Sequence, residues 1–161
     1  MKIILEEILY ETISTRSLTL AMAESCTGGL VSDRITNISG SSEYFPGGVV
    51  AYSYEAKVNL LGVSWDTLNT HGAVSEEVVL EMARGVRKIF NANIGISVSG
   101  IAGPTGGLPD KPVGTTWLGL AAKKGEWARH FVWDGDRMNN KHHSSEAALQ
   151  FVFDYLEGKL E

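Results

Sequence analysis

The chain has 161 residues, of which 43% are hydrophobic and 20% are charged, values close to those of an average globular protein. A net charge of −5 argues against a general nucleic-acid or membrane-surface binder, because both need a basic face. One cysteine excludes a disulfide scaffold, and no run reaches the ~18 apolar residues of a membrane span. We therefore expect one domain over residues 1–161, in the cytoplasm, with no membrane and no nucleic-acid partner.

Helices and strands alternate through the first half of the sequence. Ser53 is a good N-cap, and Gly62 a good C-terminal stop, for the third helix. The predicted elements, in chain order, are a helix over residues 3–15, a strand over residues 17–23, a helix from Leu30 to Ile38, a buried strand from Gly47 to Tyr52, and a helix from Tyr54 to Leu61.

The second half opens with the clearest helix of the chain, which begins after Ser75 and extends to Phe90. The remaining predictions are a strand from Ile94 to Ser99, a glycine-rich loop, two strands over Val113–Ala122 and Trp127–Trp133, and a helix from Arg137 to Leu156. Alternating helices and strands with one late hairpin predict an α/β fold. We expect a three-layer α/β/α sandwich around a mixed, mostly parallel sheet.

A polar turn rich in glycine, residues 24–29, separates the first strand from the second helix. Free backbone N–H groups at a helix N-terminus suit an anion, or an oxyanion that develops during a reaction. A plain helix cap by Ser25 or Thr27 is the alternative. Cys26 could be a nucleophile, since thiol pKa values fall at such turns, but a small buried cysteine is at least as common.

A second candidate segment, Gly100 to Gly107, has four glycines in eight residues directly after a strand. Ligands bind beyond the carboxyl ends of strands in open α/β sheets, and glycine permits a close approach of the backbone. The glycine spacing matches neither a P-loop nor a dinucleotide fingerprint. The segment is therefore a candidate ligand loop, with an ordinary flexible connection as the alternative.

A third candidate, Gly135 to Arg137, opens the last helix. The guanidinium of Arg137 could hold a phosphate or carboxylate in a fork of donors. The alternative has Asp136 as N-cap and Arg137 on the surface. Metal sites are not predicted, because the adjacent His142 and His143 point about 100° apart on a helix and form no i, i+4 clamp.

Several blocks of the sequence, in the same order and covering nearly the whole chain, resemble the CinA C-terminal domain family, which includes the PncC-type nicotinamide-nucleotide amidohydrolases. Because the chain starts just before this domain, we expect the standalone form rather than the fused form of the family. The matching blocks are Glu24–Leu30, Gly40–Phe45, Gly47–Lys57, His71–Glu76, Ser99–Gly107, Lys111–Thr115 and Gly135–Arg137.

The resemblance implies a metal-independent enzyme without a cofactor that converts nicotinamide mononucleotide into nicotinate mononucleotide and ammonia, in NAD recycling. It implies that Ser25 is the nucleophile and Lys57 the base, and we expect Tyr52 to orient this pair. Charged lysine is a poor base, so Lys57 has to be buried or close to positive charge. A non-catalytic pyridine-nucleotide binding module, or an amidohydrolase with another amide substrate, is the alternative reading.

The expected oxyanion and substrate contacts surround this pair. Backbone N–H groups of Thr27, Gly28 and Gly29 are the predicted oxyanion donors. Where the family usually has a second arginine after the Gly-Asp-Arg motif, this chain has Lys141, which keeps the charge but loses the bidentate fork. Oligomeric state is left open, with a homo-oligomer as one option. The predicted groups for binding the nucleotide are Ser99, Gly100, Ala102, Gly103, Thr115 and Arg137.

Overall fold

A five-stranded mixed sheet forms the centre of the computed structural model, which describes residues 4–160. The strands are β1 (Leu20–Glu24), β2 (Gly47–Val50), β3 (Ile94–Gly100), β4 (Thr115–Ala122) and β5 (Gly125–Val132), in the spatial order β2-β1-β3-β4-β5. β1 pairs in parallel with β2 and β3, whereas β4 pairs antiparallel with β3 and β5. Four strands thus run in one direction, and the predicted mixed sheet is confirmed.

Helices cover both faces of the sheet, which confirms the predicted three-layer sandwich. One core contains the apolar sides of α1, α2 and α6, and the other contains those of α3, α4 and α5. None of the helices in residues 4–160 is long and apolar enough to cross a membrane. The helices are α1 (Leu5–Thr15), α2 (Leu30–Thr36), α3 (Tyr54–Leu61), α4 (Trp65–His71), α5 (Glu76–Ile89) and α6 (Arg137–Leu156).

Strand β1 lies at the centre of both cores, and all five of its residues are buried. Because successive side chains of a strand point to opposite faces, Leu20 and Met22 pack in one core and Ala21 and Ala23 in the other. Burial on both faces explains why the first four residues of the strand, Leu20 to Ala23, are all apolar. The residues that follow β1, beginning with Ser25, therefore lie at one edge of the sheet.

Several predicted element boundaries differ from the observed ones by one to three residues, and one helix was not predicted. The first strand begins at Leu20 rather than residue 17, because Ser17 has a positive φ of 53° in the turn after α1. The second strand ends at Val50, before Tyr52. Helix α4 was not predicted, because it is short and buries only Leu68. Part of its support comes from Glu81, distant in sequence, which accepts hydrogen bonds from Ser64 N (2.8 Å) and Thr67 Oγ1 (2.7 Å).

The carboxyl ends of β1, β2 and β3 meet at one edge of the sheet because the three strands are parallel. Ser25 follows β1, Ala51 follows β2, and Gly100 ends β3. Helix α3 begins directly after the β2 segment, with Ser53 as its N-cap: the Ser53 hydroxyl accepts a hydrogen bond from Ala56 N (3.0 Å). This edge therefore collects the residues of the candidate site.

Candidate active site

A buried lysine contacts a buried serine at the carboxyl edge of the sheet. The Nζ atom of Lys57 donates to Ser25 Oγ (3.0 Å) and to the carbonyl oxygen of Ala51 (2.9 Å). Lys57 is 1% exposed and Ser25 is 7% exposed. Because α3 begins shortly after β2 ends, its first turn brings the lysine back to the end of β1. The structure thus brings together the two residues predicted as base and nucleophile.

Burial lowers the pKa of Lys57 from 10.5 to about 8. Among residues 4–160, no carboxylate forms an ion pair with this ammonium to offset the loss of water. At neutral pH roughly a tenth of the molecules then hold Lys57 as the neutral amine, which can accept a proton. Lys57 is therefore buried, as expected from the sequence for a lysine that acts as a base.

The pKa of the Cys26 thiol, beside the serine, changes in the opposite direction to that of Lys57. Burial raises the pKa of Cys26 to about 12, and the negative charge of Glu24 acts in the same direction. A thiol is nucleophilic only as thiolate, so Cys26 remains protonated and unreactive at neutral pH. Its side chain packs in the core on the α1 side of the sheet. Of the two readings of Cys26, the structure favours the small buried cysteine.

The N-terminus of α2 is occupied by the protein's own carboxylate, so the first backbone N–H groups of this helix are not free for the anion predicted at residues 24–29. Glu24 accepts hydrogen bonds from the backbone N–H groups of Val31 (2.8 Å) and Ser32 (3.0 Å). It also accepts from the hydroxyl groups of Thr27 and Ser32, each at 2.7 Å. Glu24 lies seven and eight residues before these amides, too far for the three-residue spacing of a capping box, so local rules missed it.

The predicted oxyanion donors divide into two groups. The Gly28 N–H donates to the carbonyl oxygen of Ser25 (3.0 Å), so its prediction as a free donor is wrong. Gly28 and Gly29 have φ values of 61° and 105°, and their role is to form the left-handed turn before α2. The Thr27 hydroxyl is committed to Glu24. The backbone N–H groups of Thr27 and Gly29 remain the predicted oxyanion donors.

A cavity of about 180 Å³ opens beside the serine–lysine pair. The 180 Å³ lies below the usual size of a pocket that encloses a whole ligand, so the cavity fits only part of a nucleotide. Gly103 and Thr115, two of the predicted substrate-binding residues, do not line it. The predicted residues that do line it, besides the pair itself, are Tyr52, Ser99, Gly100, Ala102 and Arg137.

Tyr52 contacts Arg137 rather than the serine–lysine pair, which corrects its predicted orienting role. The tyrosine is 62% exposed, and its hydroxyl accepts from Arg137 Nη2 (3.2 Å). Arg137 Nη1 donates to the carbonyl oxygen of Gly103 (2.8 Å). The contact that holds Lys57 comes instead from the backbone of Ala51, which no side-chain pattern indicates. Arg137 is thereby fixed at the cavity wall.

The hydroxyl groups of Ser99 and Thr115 bond within the chain. Ser99 Oγ donates to the carbonyl oxygen of Ala73 (2.8 Å), and Thr115 Oγ1 donates to that of Pro112 (2.6 Å). Thr115 is buried and does not line the cavity, so the structure does not support its prediction as a nucleotide-binding group. Its chain position next to the glycine loop suggested the site, but the alternation of β4 turns its side chain elsewhere.

The glycine-rich loop serves packing more than ligand approach. A Cβ on Gly100 would lie 2.6 Å from Thr116 Oγ1, and a Cβ on Gly103 would lie 2.4 Å from Val113 Cγ1. The Ala102 carbonyl oxygen accepts from Asn140 Nδ2 (3.0 Å), which ties the loop to α6. The loop therefore forms a fixed cavity wall.

Within residues 4–160, no three His, Cys, Asp or Glu side chains gather as metal ligands would.

Comparison with known proteins gives a consistent assignment for this α/β protein with a serine–lysine pair. The CinA C-terminal domain model matches residues 3–156, and the chain belongs to that family. A CinA-like protein of Chlorobaculum tepidum is 50% identical over 92% of this chain. The chain spans just over a third of the length of the curated relatives it matches, 36% for this one.

Solved structures of the superfamily have the same fold. The competence damage-inducible protein A of Klebsiella pneumoniae is 33% identical, with a TM-score of 0.92 over 95% of both chains. The competence/damage inducible protein CihA of Agrobacterium tumefaciens is 36% identical, with a TM-score of 0.89 over 95% of this chain and 93% of that one. The family resemblance read from the sequence motifs is thereby confirmed.

Proposed function

We propose that this chain is an amidohydrolase that converts nicotinamide mononucleotide into nicotinate mononucleotide and ammonia. The observation that carries the proposal is the 3.0 Å contact between Lys57 Nζ and Ser25 Oγ, together with the lowered pKa of the lysine. A serine hydroxyl needs an adjacent base to attack an amide, and a neutral amine within hydrogen-bond distance is such a base.

Acylation begins with attack of Ser25 Oγ on the carboxamide carbon while neutral Lys57 accepts the hydroxyl proton. The carbonyl oxygen becomes an oxyanion, for which the backbone N–H groups of Thr27 and Gly29 are the proposed donors. Collapse of the tetrahedral intermediate breaks the C–N bond. Lys57 returns the proton to the departing nitrogen, so ammonia leaves and a nicotinoyl ester remains on Ser25.

Deacylation repeats the same proton transfers with water. Neutral Lys57 accepts a proton from water, and the hydroxide oxygen attacks the ester carbon. The ester C–O bond then breaks, Ser25 Oγ regains a proton from Lys57, and nicotinate mononucleotide is released. One residue thus acts as base and acid in both halves of the reaction.

Two further cations support binding of the substrate phosphate on a chain of net charge −5. A guanidinium has five N–H donors, and Arg137 gives hydrogen bonds to Gly103 and Tyr52, so it retains donors for a phosphate. Lys141 lies one turn further along α6, with Nζ 3.9 Å from where a Cβ of Gly28 would be. Lys141 adjoins the loop that carries Ser25, and Arg137 lines the cavity beside Ser25, so the phosphoribosyl group would extend toward these two cations.

The burial of Lys57 argues against the alternative of a non-catalytic binding module. Keeping an ammonium in a site that lowers its pKa from 10.5 to about 8 costs about 3 kcal/mol at neutral pH. A site that only binds a nucleotide has no use for this cost. A hydrolase needs the buried site, because burial supplies the neutral amine.

Since pyridine nucleotides are metabolites of the cell interior, we place the reaction in the cytoplasm.

The direct test measures ammonia release from nicotinamide mononucleotide in the presence of a metal chelator. We expect the wild type to be active and Ser25→Ala to lose at least about 10³-fold in kcat/KM, because the attacking atom is gone. Cys26→Ala is the matched control at the neighbouring residue. We expect near-wild-type activity from it, since the thiol of Cys26 is not ionised in the wild type.

Three results would contradict parts of this proposal. Full activity in Ser25→Ala would eliminate the nucleophile, and loss of activity with chelator would eliminate the metal-independent reaction. Tight nucleotide binding without ammonia release by the wild type would favour the binding module. Ammonia release from a different amide, in place of the mononucleotide, would retain the mechanism and change the substrate.

A further inference from the structure

Glu24 directly precedes the proposed nucleophile and is 1% exposed. Its carboxylate accepts four hydrogen bonds, from Thr27 Oγ1, Val31 N, Ser32 N and Ser32 Oγ, at 2.7–3.0 Å. All four partners are donors, which suits an ionised carboxylate rather than a neutral acid or an amide. The charge also faces the positive end of the α2 backbone. This buried acid is thus fully compensated by the segment that follows it.

The bonds of Glu24 close the loop around Ser25 at both ends. On the strand side, the Glu24 carbonyl accepts from Ala51 N (2.9 Å), and Ser25 N donates to the Val98 carbonyl (2.9 Å). On the helix side, the Glu24 carboxylate holds Thr27 and the first turn of α2. Glu24 therefore holds both the start and the end of the loop that carries Ser25.

The same residue also contacts the peptide segment that holds the base. Ala51 donates its N–H to Glu24 and accepts the Lys57 ammonium on its carbonyl oxygen. A shift of the Glu24 backbone would therefore move the serine and the support of the lysine relative to each other. An error of about 1 Å in such a contact can reduce a rate by about 100-fold.

We propose that Glu24 is a positioning residue, which fixes the geometry of the Ser25–Lys57 pair by clamping the loop between β1 and α2. The inference rests on the proposed role of Ser25 as nucleophile. A residue that merely caps α2 would affect stability and leave the chemistry unchanged. The two roles differ in their effect on kcat for molecules that are fully folded.

The test compares Glu24→Gln with Glu81→Gln in the full chain. Glutamine keeps the shape but replaces one acceptor oxygen by a donor, so it opposes a donor already in place. Glu81 is the matched control, because its carboxylate also accepts from a backbone N–H and a hydroxyl near a helix start, at α4. Both variants are assayed at a temperature where circular dichroism shows them folded.

Two readouts separate positioning from substrate choice. The first is kcat and KM for ammonia release from nicotinamide mononucleotide. The second is the rate at which an alkyl fluorophosphonate labels Ser25, a reaction that forms an O–P bond, releases fluoride and transfers the hydroxyl proton to Lys57. Labelling requires the aligned pair but not the natural amide. It therefore tests Glu24 even if the proposed substrate is wrong.

We expect Glu24→Gln to lower kcat and the labelling rate by about 10- to 100-fold, with KM within about threefold of wild type. Glu81→Gln should lose stability and keep both rates. Wild-type rates in folded Glu24→Gln would overturn the proposal. If Glu24→Gln does not fold, Thr27→Val, which removes one donor to the carboxylate, decides instead, and unchanged labelling of that variant overturns it.

Failure of the substrate assignment would have a different signature. A wild type that is labelled at Ser25 but releases no ammonia from the mononucleotide contradicts the proposed substrate, and slower labelling of Glu24→Gln still supports positioning. A wild type that is not labelled at all contradicts both the nucleophile and the role of Glu24.

Discussion

Two cations removed from solvent, Lys57 and Arg34, lie on opposite faces of the sheet. The guanidinium of Arg34, on α2, has a side chain only 13% exposed and bonds to Glu6 Oε1 and Glu146 Oε2, each at 2.6 Å. Lys57, on α3, bonds to a hydroxyl and a carbonyl group. One cation is paired with charge and the other with neutral dipoles.

The pairing determines the direction of the pKa change. Burial by itself would lower the pKa of Arg34, but hydrogen bonds to Glu6 and Glu146 raise it. Burial lowers the pKa of Lys57 with no such compensation from a carboxylate. A compensated cation joins α1, α2 and α6 into one layer, whereas the uncompensated cation is the one we propose as the base. The contrast separates the structural use of a buried charge from its proposed chemical use.

The largest expected effect is on catalysis and distinguishes the two cations. Lys57→Met removes the proposed base while keeping the apolar length of the side chain, and we expect kcat/KM for ammonia release to fall about 10²- to 10⁴-fold. Arg34→Met should keep the activity, because Arg34 lies on the other face of the sheet. Equal losses in both folded variants would remove the distinction.

The next largest expected effect is on stability, and here Arg34 is the more important of the two cations. Arg34→Met leaves Glu6 buried without its partner, so we expect a loss of about 3 kcal/mol in the free energy of unfolding at pH 7. Burial alone would raise the pKa of Glu6, but Arg34 lowers it below 4.5. The stability contributed by this pair is therefore lost in acid, and the difference between wild type and variant should shrink as the pH falls and Glu6 takes up a proton. Urea unfolding at several pH values measures it.

Lys57 should produce a smaller effect at alkaline pH. The folded protein loses the Lys57 proton near pH 8 and the unfolded chain near pH 10.5, so the unfolded state binds more protons between these values. Stability of the wild type relative to Lys57→Met should therefore rise by about 2.5 kcal/mol from pH 7 to pH 10. A constant difference over this range would mean that the lysine has an ordinary pKa.

Local features of the fold were predictable from the sequence. Ser53 and Gly62 bound α3, and Asp136 caps α6 with its carboxylate accepting from Asn139 N (2.9 Å). Such caps depend on residues two or three positions apart, so the sequence contains both partners side by side. The serine–lysine pair was predictable only from the family motifs, because its members are 32 residues apart in the chain.

Contacts between distant segments account for the incorrect site predictions. Tyr52 and Arg137 are 85 residues apart, and nothing near either residue indicates their contact. The direction of the Thr115 side chain depends on the register of β4 with β5, where it pairs with Val132, and a local pattern does not contain this register. Glu24 looked like one polar residue of a turn, and only the fold shows that it holds the following helix.

The most direct test of the central claim is an NMR titration of the Lys57 side chain. Lysines labelled with ¹³C at the ε position are followed from pH 6 to pH 11, and the Lys57→Met variant assigns the signal by its loss. We predict a pKa of about 8 for Lys57, with exposed lysines titrating close to 10.4 as internal controls. A Lys57 signal that titrates with the exposed lysines would show a permanently charged ammonium at neutral pH and would contradict its role as the base for Ser25.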